Sequence, residues 1–174
     1  MLVYARKVIP AYFHSSSGGY TENSEDVWLQ RLPYIRAVQD FDQKSPHFSW
    51  FKQVSAEAIA QGLARQGADV GQLLKVAPLS RSYSGRVKEV QVVGTTGSRT
   101  VRGETFRIAA GLSSTLFNVA PVGEGQPTEF SFAGRGWGHG LGLSQWGARG
   151  LAEQGYTYMQ ILGHYYPGAQ LGRL

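Results

Sequence analysis

Short apolar stretches with a period of two alternate irregularly along the chain with stretches of helical period. Leu2–Tyr4 and Val8–His14 read as two strands of a hairpin around Ala5-Arg6-Lys7, although neither Gly nor Asn stands in the turn. Ser15 to Asp26 is polar and small, a loop by composition. His47–Val54 is aromatic-rich and predicts a strand. Ser55 then caps a helix from Ala56 to about Gln66, with Glu57 in its first turn and Gly67 at its stop. Asp69–Lys75 predicts a short second helix or a turn, and Arg86–Gly94, rich in valine, a strand. Gly103–Gly111 reads as a short helix, and Ser114–Val119 and Thr128–Phe132 as strands, the last with Phe130 and Phe132 on one face. Ser144–Gln154 predicts a helix ending at Gly155. The capping box Thr157-Tyr158-Met159-Gln160 opens a last helix, which must stop before Pro167.

Strands and helices are interspersed without regular alternation, so the expected class is α+β: a single mixed domain of short strands and helices over residues 1–174. No internal repeat, low-complexity tract or charged linker interrupts it. Composition adds three constraints. The chain has no cysteine, which excludes disulfides, thiolate metal sites and a cysteine nucleophile. Net charge is +5, compatible with nucleic acid, an anionic surface or an acidic polysaccharide. The basic residues are scattered, however, and no recognition-helix or basic-aromatic pattern accompanies them, so nucleic acid is not an expected partner. No stretch has the length of a membrane span, and the first residues lack the features of a signal peptide.

The 23 glycines change the picture most. In GRGWGHGLG they fall at 134, 136, 138, 140 and 142, with Arg135, Trp137, His139 and Leu141 between. In an extended chain this spacing leaves one face bare. It does not make a nucleotide loop, because G-x-G-x-x-G needs an odd gap and no G-K-[ST] follows. Two readings remain: the bare face lets a strand pass close under a neighbour, or it leaves room for a polymer, with Trp137 stacking on a ring and His139 or Arg135 making polar contacts. The histidines at 14, 47, 139 and 164 lack helix-borne metal spacing and H-E-x-x-H. A site joining His14 to His139 stays open, while His47 and His164 read as structural. The loop HSSSGGYTENSED is either a turn that satisfies its own backbone or a hydroxyl-rich sugar lining with one carboxylate for acid–base work. It holds no G-x-S-x-G elbow.

Two segments, IPAYFHSSSGGYTENSEDVW (9–28) and GRGWGHGLGLSQWGARGLAEQGYTYMQILGHYYPGAQL (134–171), resemble the SpoIID/LytB family of bacterial cell-wall proteins, the stage II sporulation protein D and amidase-enhancer family. PYIRAV, SPHFSW, SGRVKEV and GETFRIAAGLSSTLFNV are similar to it in the same order. The resemblance implies a SpoIID-like fold, a cell-envelope or extracytoplasmic setting, and peptidoglycan glycan strands as partner. Its sporulation members resemble lytic transglycosylases that cleave peptide-stripped glycan. One carboxylic acid protonates the glycosidic oxygen, then acts as base while the muramyl 6-hydroxyl closes an anhydro ring. Its amidase-enhancer members imply the alternative, a non-catalytic module that stimulates a cell-wall amidase. The family's catalytic glutamate lies near an N-terminal helix that nothing in residues 1–8 matches, so this chain is expected to lack that segment. Glu22 and Glu25 lie in a motif that matches, as weak candidates for the acid. The expected sugar-binding set is His14, Ser15, Ser17, Gly18, Gly19, Thr21 and Glu22 facing Arg135, Gly136, Trp137, Gly138, His139, Gly140 and Gln145. No cofactor is expected; the zinc sites of some members use cysteines, leaving zinc here only as an open alternative.

Overall fold

The computed structural model describes residues 1–172. Along the chain it has β1 (Leu2–Tyr4), β2 (Lys7–Val8), β3 (Phe13–His14), α1 (Ser24–Trp28), β4 (Ser49–Ser55), α2 (Ala56–Arg65), β5 (Leu73–Arg81), β6 (Val87–Gly94) and β7 (Gly97–Arg102). There follow α3 (Gly103–Ala110), β8 (Phe117–Val122), β9 (Glu129–Arg135), β10 (Leu143–Ser144), α4 (Gln145–Glu153), α5 (Tyr158–Tyr165) and β11 (Gln170–Leu171). The class is α+β, as expected. These elements form two compact units: a first unit of residues 1–48 and 136–174, and a second, inserted unit of residues 49–135. No shift in composition marks the boundaries, because Ser49 and Arg135 are themselves paired partners of β4 and β9.

The second unit has two antiparallel sheets, in the orders β4-β9-β8 and β5-β6-β7, and a core that includes Ile59, Leu63, Val90, Val92, Phe106, Phe117, Phe130 and Phe132. Ser55 caps α2 by accepting from the Ala58 amide at 3.1 Å. Gly62 lets α2 cross α3 closely: a Cβ there would stand 2.0 Å from the Ala109 carbonyl oxygen. α3 ends at Gly111, whose carbonyl accepts from Lys52 Nζ at 2.6 Å. Phe130 and Phe132 share the buried face of β9 while Glu129 and Ala133 are exposed, as the alternation predicts.

Of the helix or turn expected over 69–75, a small turn at 69–71 is what forms, and from Leu73 the chain is a strand. The Asp69 side chain accepts from the Gly71 amide at 2.8 Å, and that small turn feeds the chain into β5. Leu73–Arg81 then pairs with the valine-rich β6, Val76 opposite Val92. The partner strand lies far enough along the chain that local periodicity does not reveal it. β8 likewise begins at Phe117 rather than at residue 114; before it the Thr115 carbonyl accepts from the Val87 amide and the Ser114 hydroxyl donates to the Arg135 carbonyl.

The first unit has a small sheet, β11-β1-β2, and a two-stranded parallel pair, β3 with β10. Its apolar cluster includes Ile35, Leu141, Leu151, Ile161, Tyr165 and Tyr166. The expected strand from 8 to 14 is broken in two: Pro10 has no N–H to give a ladder, and only Lys7–Val8 and Phe13–His14 pair. The loop after His14 contains a one-turn helix, α1, that its polar composition concealed. α4 starts under the side chain of Ser144, and α5 under the complete Thr157–Gln160 capping box, stopping at Tyr165.

Candidate functional site

The site lies in the first unit, where the loop after β3 meets the glycine run. The extended, one-sided run expected from the spacing is not what the backbone does. β9 ends at Arg135, and Gly136, Gly138, Gly140 and Gly142 all have positive φ, so the chain winds past β3 rather than running flat. Alternate glycine serves alternate left-handed residues, a demand that side chains resist. Close approach adds a second demand. A Cβ at Gly136 would stand 2.7 Å from the Ser17 carbonyl carbon and oxygen, and one at Gly142 would stand 2.1 Å from the Tyr12 carbonyl oxygen. The bare side of the run is therefore packed against residues 12–17. Trp137 exchanges two backbone hydrogen bonds with Ser16, at 2.7 and 3.2 Å.

That packing brings two histidines together around one peptide. His14 Nδ1 lies 3.1 Å from the Leu141 carbonyl oxygen, so it donates to it. His139 Nδ1 accepts from the Leu141 amide at 2.9 Å, so its own proton stands on Nε2. The rings stand 5.6 Å apart, one bonded to the carbonyl and the other to the amide of the same residue, Leu141. Trp28 stands 5.5 Å from His139 and meets Tyr12 edge-on at 4.5 Å, while His47 packs on Trp137 at 4.7 Å. Trp137 is 48% exposed and Trp28 38%. The result is a surface of exposed indole faces beside the half-buried His139, with His14 buried beneath it.

Beneath it lies a polar hub. Asp40 and Asp42 are buried. Asp40 accepts from the Ser17 hydroxyl, the Tyr165 hydroxyl and the Phe41 amide. Asp42 accepts from the Ser16 hydroxyl and, at 2.8 Å, from the Gly18 amide. Burial first, and the Asp40 charge after it, push the Tyr165 phenol well above its ordinary pKa, so it stays a hydrogen-bond donor.

A family model described as a domain of unknown function, DUF8618, matches residues 21–142. The chain is 32% identical, over 98% of its length, to stage II sporulation protein D of Bacillus subtilis (strain 168). It is 34% identical, also over 98%, to the protein of that name from Bacillus amyloliquefaciens. It is 28% identical to the amidase enhancer of Bacillus subtilis (strain 168), again over 98% of this chain. The chain belongs to the SpoIID/LytB-like family. It spans about half the length of the two sporulation proteins, 47% of each, and 31% of the amidase enhancer.

Within this SpoIID/LytB-like chain the structure sorts the candidate residues. It brings His14, Trp137, Gly138, His139 and the loop of Gly18 and Gly19 into one region. Gln145 is exposed at the first position of α4, whose second residue donates its amide to the Ser15 carbonyl. Ser17 and Thr21 are fully buried. The Ser17 hydroxyl is bound to Asp40, and Thr21 Oγ1 bonds the Arg36 and Val38 backbone. They frame the loop and do not line a sugar groove; the hydroxyl-rich lining is a correction to the sequence reading. Gly136 and Gly140 are buried and act through backbone alone, Gly140 accepting from the Glu22 amide at 2.8 Å. Arg135 belongs to the second unit.

Glu25 is clasped by the Arg36 guanidinium at 2.6 and 2.8 Å, which lowers its pKa to about 2. It is a fixed carboxylate, not a proton store. Glu22 is 1% exposed, and its carboxylate accepts from the Asn23 amide. His164 is structural as expected, its Nε2 2.7 Å from the Gln39 carbonyl oxygen. Among the described residues no group of three or more His, Asp or Glu could hold a metal. Asp40, Asp42 and Trp28 were missed as members of the region. Trp28 carried a signal, standing in the motif that bears the resemblance; FDQ around the aspartates reads as an ordinary polar turn.

Proposed function

We propose that the chain is a glycan-holding part of an extracytoplasmic bacterial cell-wall protein, and that the ring surface of its first unit receives peptide-stripped peptidoglycan strands. The observation that carries this reading is the pair of exposed indoles, Trp28 and Trp137, beside His139, with buried His14 holding the Leu141 peptide beneath them. A sugar ring needs a flat apolar face to lie on and a polar group for its hydroxyls, which the indoles and His139 Nε2–H supply. The names of the relatives, a sporulation protein and an amidase enhancer, support the cell-wall setting. Among the described residues no helix is long and apolar enough to cross a membrane.

Strand cleavage of the lytic transglycosylase type asks for a carboxylic acid that holds a proton, then recovers it from the muramyl 6-hydroxyl. Glu25, paired with Arg36, does not meet that need. Glu22 is the other glutamate of the matched motif, and its burial argues against direct reach to a strand. A binding role, or stimulation of a separate amidase, therefore fits these residues better than catalysis by them.

The test is binding of purified, peptide-free glycan strands by Trp137→Ala and His139→Ala, with circular dichroism on the same samples. Each variant is expected to bind roughly tenfold more weakly, a loss of about 1.4 kcal/mol, with the fold retained. Unfolding of both overturns the assignment and makes the motif structural. Mass spectrometry for anhydromuramyl ends separates binding from cleavage: product formed by this chain and abolished by Glu22→Gln would make Glu22 the acid.

A further inference from the structure

The second unit has a cavity of about 280 Å³ that the ring surface does not use, lined by Arg81, Leu116, Phe117, Asn118, Ala133, Gly134 and Arg135. Two guanidinium groups and no carboxylate line it. Arg81 is held rigidly by neutral acceptors: the Gly85 carbonyl at 2.9 Å, the Phe117 carbonyl at 3.0 Å and Asn118 Oδ1 at 3.1 Å. Its charge is positioned but not compensated. Asn118 spends its oxygen on Arg81, which leaves its NH2 as the group it can offer.

Arg135 is fixed through its backbone, its amide donating to Leu116 at 2.9 Å and its carbonyl accepting from the buried Ser114 at 2.6 Å. Its side chain is exposed and makes no hydrogen bond or ion pair among the described residues. The unit as a whole holds ten of the chain's 17 basic residues and six of its 12 acidic ones, so most of the +5 charge resides there. Arg81 keeps its Nε–H and one Nη1–H after these bonds, and two uncompensated guanidinium charges beside apolar Leu116 and Ala133 suit a carboxylate attached to a small alkyl group.

We infer that this cavity is a carboxylate subsite for the lactyl group of a muramic acid residue: the carboxylate meets Arg81, Asn118 and Arg135, and the lactyl methyl lies against the apolar wall. The inference rests on the reading that the chain holds peptidoglycan glycan, and it assigns a separate group of the same polymer to the second unit. The cavity is below the roughly 300–1,000 Å³ of pockets for drug-sized ligands, which suits a single sugar substituent.

The experiment is a nuclear magnetic resonance titration of the chain with N-acetylmuramic acid, with N-acetylglucosamine (the same ring without the lactyl ether) and with inorganic phosphate. Arg135→Ala serves as the pocket variant. Arg99→Ala, an exposed cation of the same unit outside the cavity, is the charge control. N-acetylmuramic acid is expected to shift the amides of residues 116–118 and 133–135, N-acetylglucosamine to leave them unmoved, and Arg135→Ala to weaken the response roughly tenfold, as loss of a charge-assisted pair should. Arg99→Ala should retain it. Equal weakening by both variants, or an equal response to phosphate, overturns the subsite in favour of unselective attraction. Shifts confined to residues 137–141 overturn it while leaving the ring surface as the glycan site. Shifts confined to the cavity uphold it and remove the ring surface from the glycan reading. No shift in either region overturns both.

Discussion

The two units solve the problem of a stable interior differently. The second buries phenylalanines and valines from two sheets against two helices, and its polar groups stay largely in ladders and caps. The first has a smaller apolar cluster and is organised around Asp40 and Asp42, which gather Ser16, Ser17, Gly18 and Tyr165. An apolar core tolerates approximate partners, because the hydrophobic effect has no direction. A buried carboxyl does not, because each donor that loses it is left without water to replace it. The first unit is thus the more exacting in geometry, and it is also the one that presents the histidine pair.

Core truncation should show the largest effect. Phe132→Ala in β9 removes a ring packed against Phe106 and Phe117, and should cost about 4 kcal/mol. Urea denaturation checks it, and hydrogen exchange should report the loss first in β4, β8 and β9. Asp40→Ala is the counterpart. It strands the hydroxyls of Ser17 and Tyr165, and should cost about 3 kcal/mol. Its early exchange should appear in residues 12–20 and α5. Tyr165→Phe sharpens the contrast, since it removes one donor and leaves Asp40 its other partners; about 1 kcal/mol is expected. If Asp40→Ala were as mild as Tyr165→Phe, the hub would not organise the first unit.

The same contrast explains what the sequence disclosed. Helix α2 was legible from Ser55, Glu57 and Gly67, and α5 from its capping box, because caps act over three or four residues. The face shared by Phe130 and Phe132 was legible from period two. β5 was not, since what makes Leu73–Arg81 a strand is β6 rather than its own pattern. The glycine run was legible as a special place but not in its shape. Spacing cannot distinguish an empty face from a succession of left-handed residues. Asp40 was not legible at all, because its partner Tyr165 lies 125 residues away. The histidine pair depends on both: His14 and His139 meet only because the glycines bring two distant segments to within contact.

A surface ion pair should matter less than either interior, and pH separates it out. The Arg36 guanidinium holds Glu25 at a pKa of about 2, below its ordinary value of 4.5. A carboxylate lowered on folding contributes stability above its unfolded pKa and loses it as pH falls towards the folded one. The contribution should therefore be full above about pH 5 and decline between pH 4.5 and 2. Both side chains are partly solvated, so about 1 kcal/mol is the expected size. Glu25→Gln should be less stable than the parent at pH 6, and the difference should vanish near pH 2. A difference that stayed constant across that range would mean the pair contributes through packing alone.

The smallest effect concerns turns, and only one of the two units should show it. The β1–β2 hairpin turns through Ala5 and Arg6, both with positive φ, a conformation that favours Asn-Gly and strains residues with a Cβ. Replacing Ala5 by Asn and Arg6 by Gly should relieve that strain and raise stability by roughly 0.5 kcal/mol, after the entropy lost by glycine is counted. The β6–β7 hairpin turns through Thr95 and Thr96, where Gly97 and not the threonines takes the positive φ. Thr95 Oγ1 also accepts from the Gln72 amide at 3.0 Å. Asn-Gly at 95–96 relieves nothing and loosens that bond, so it should gain no stability. Chemical denaturation of the two double variants compares them directly. A gain at both turns would mean that local flexibility, rather than left-handed strain at Ala5 and Arg6, limits the hairpins.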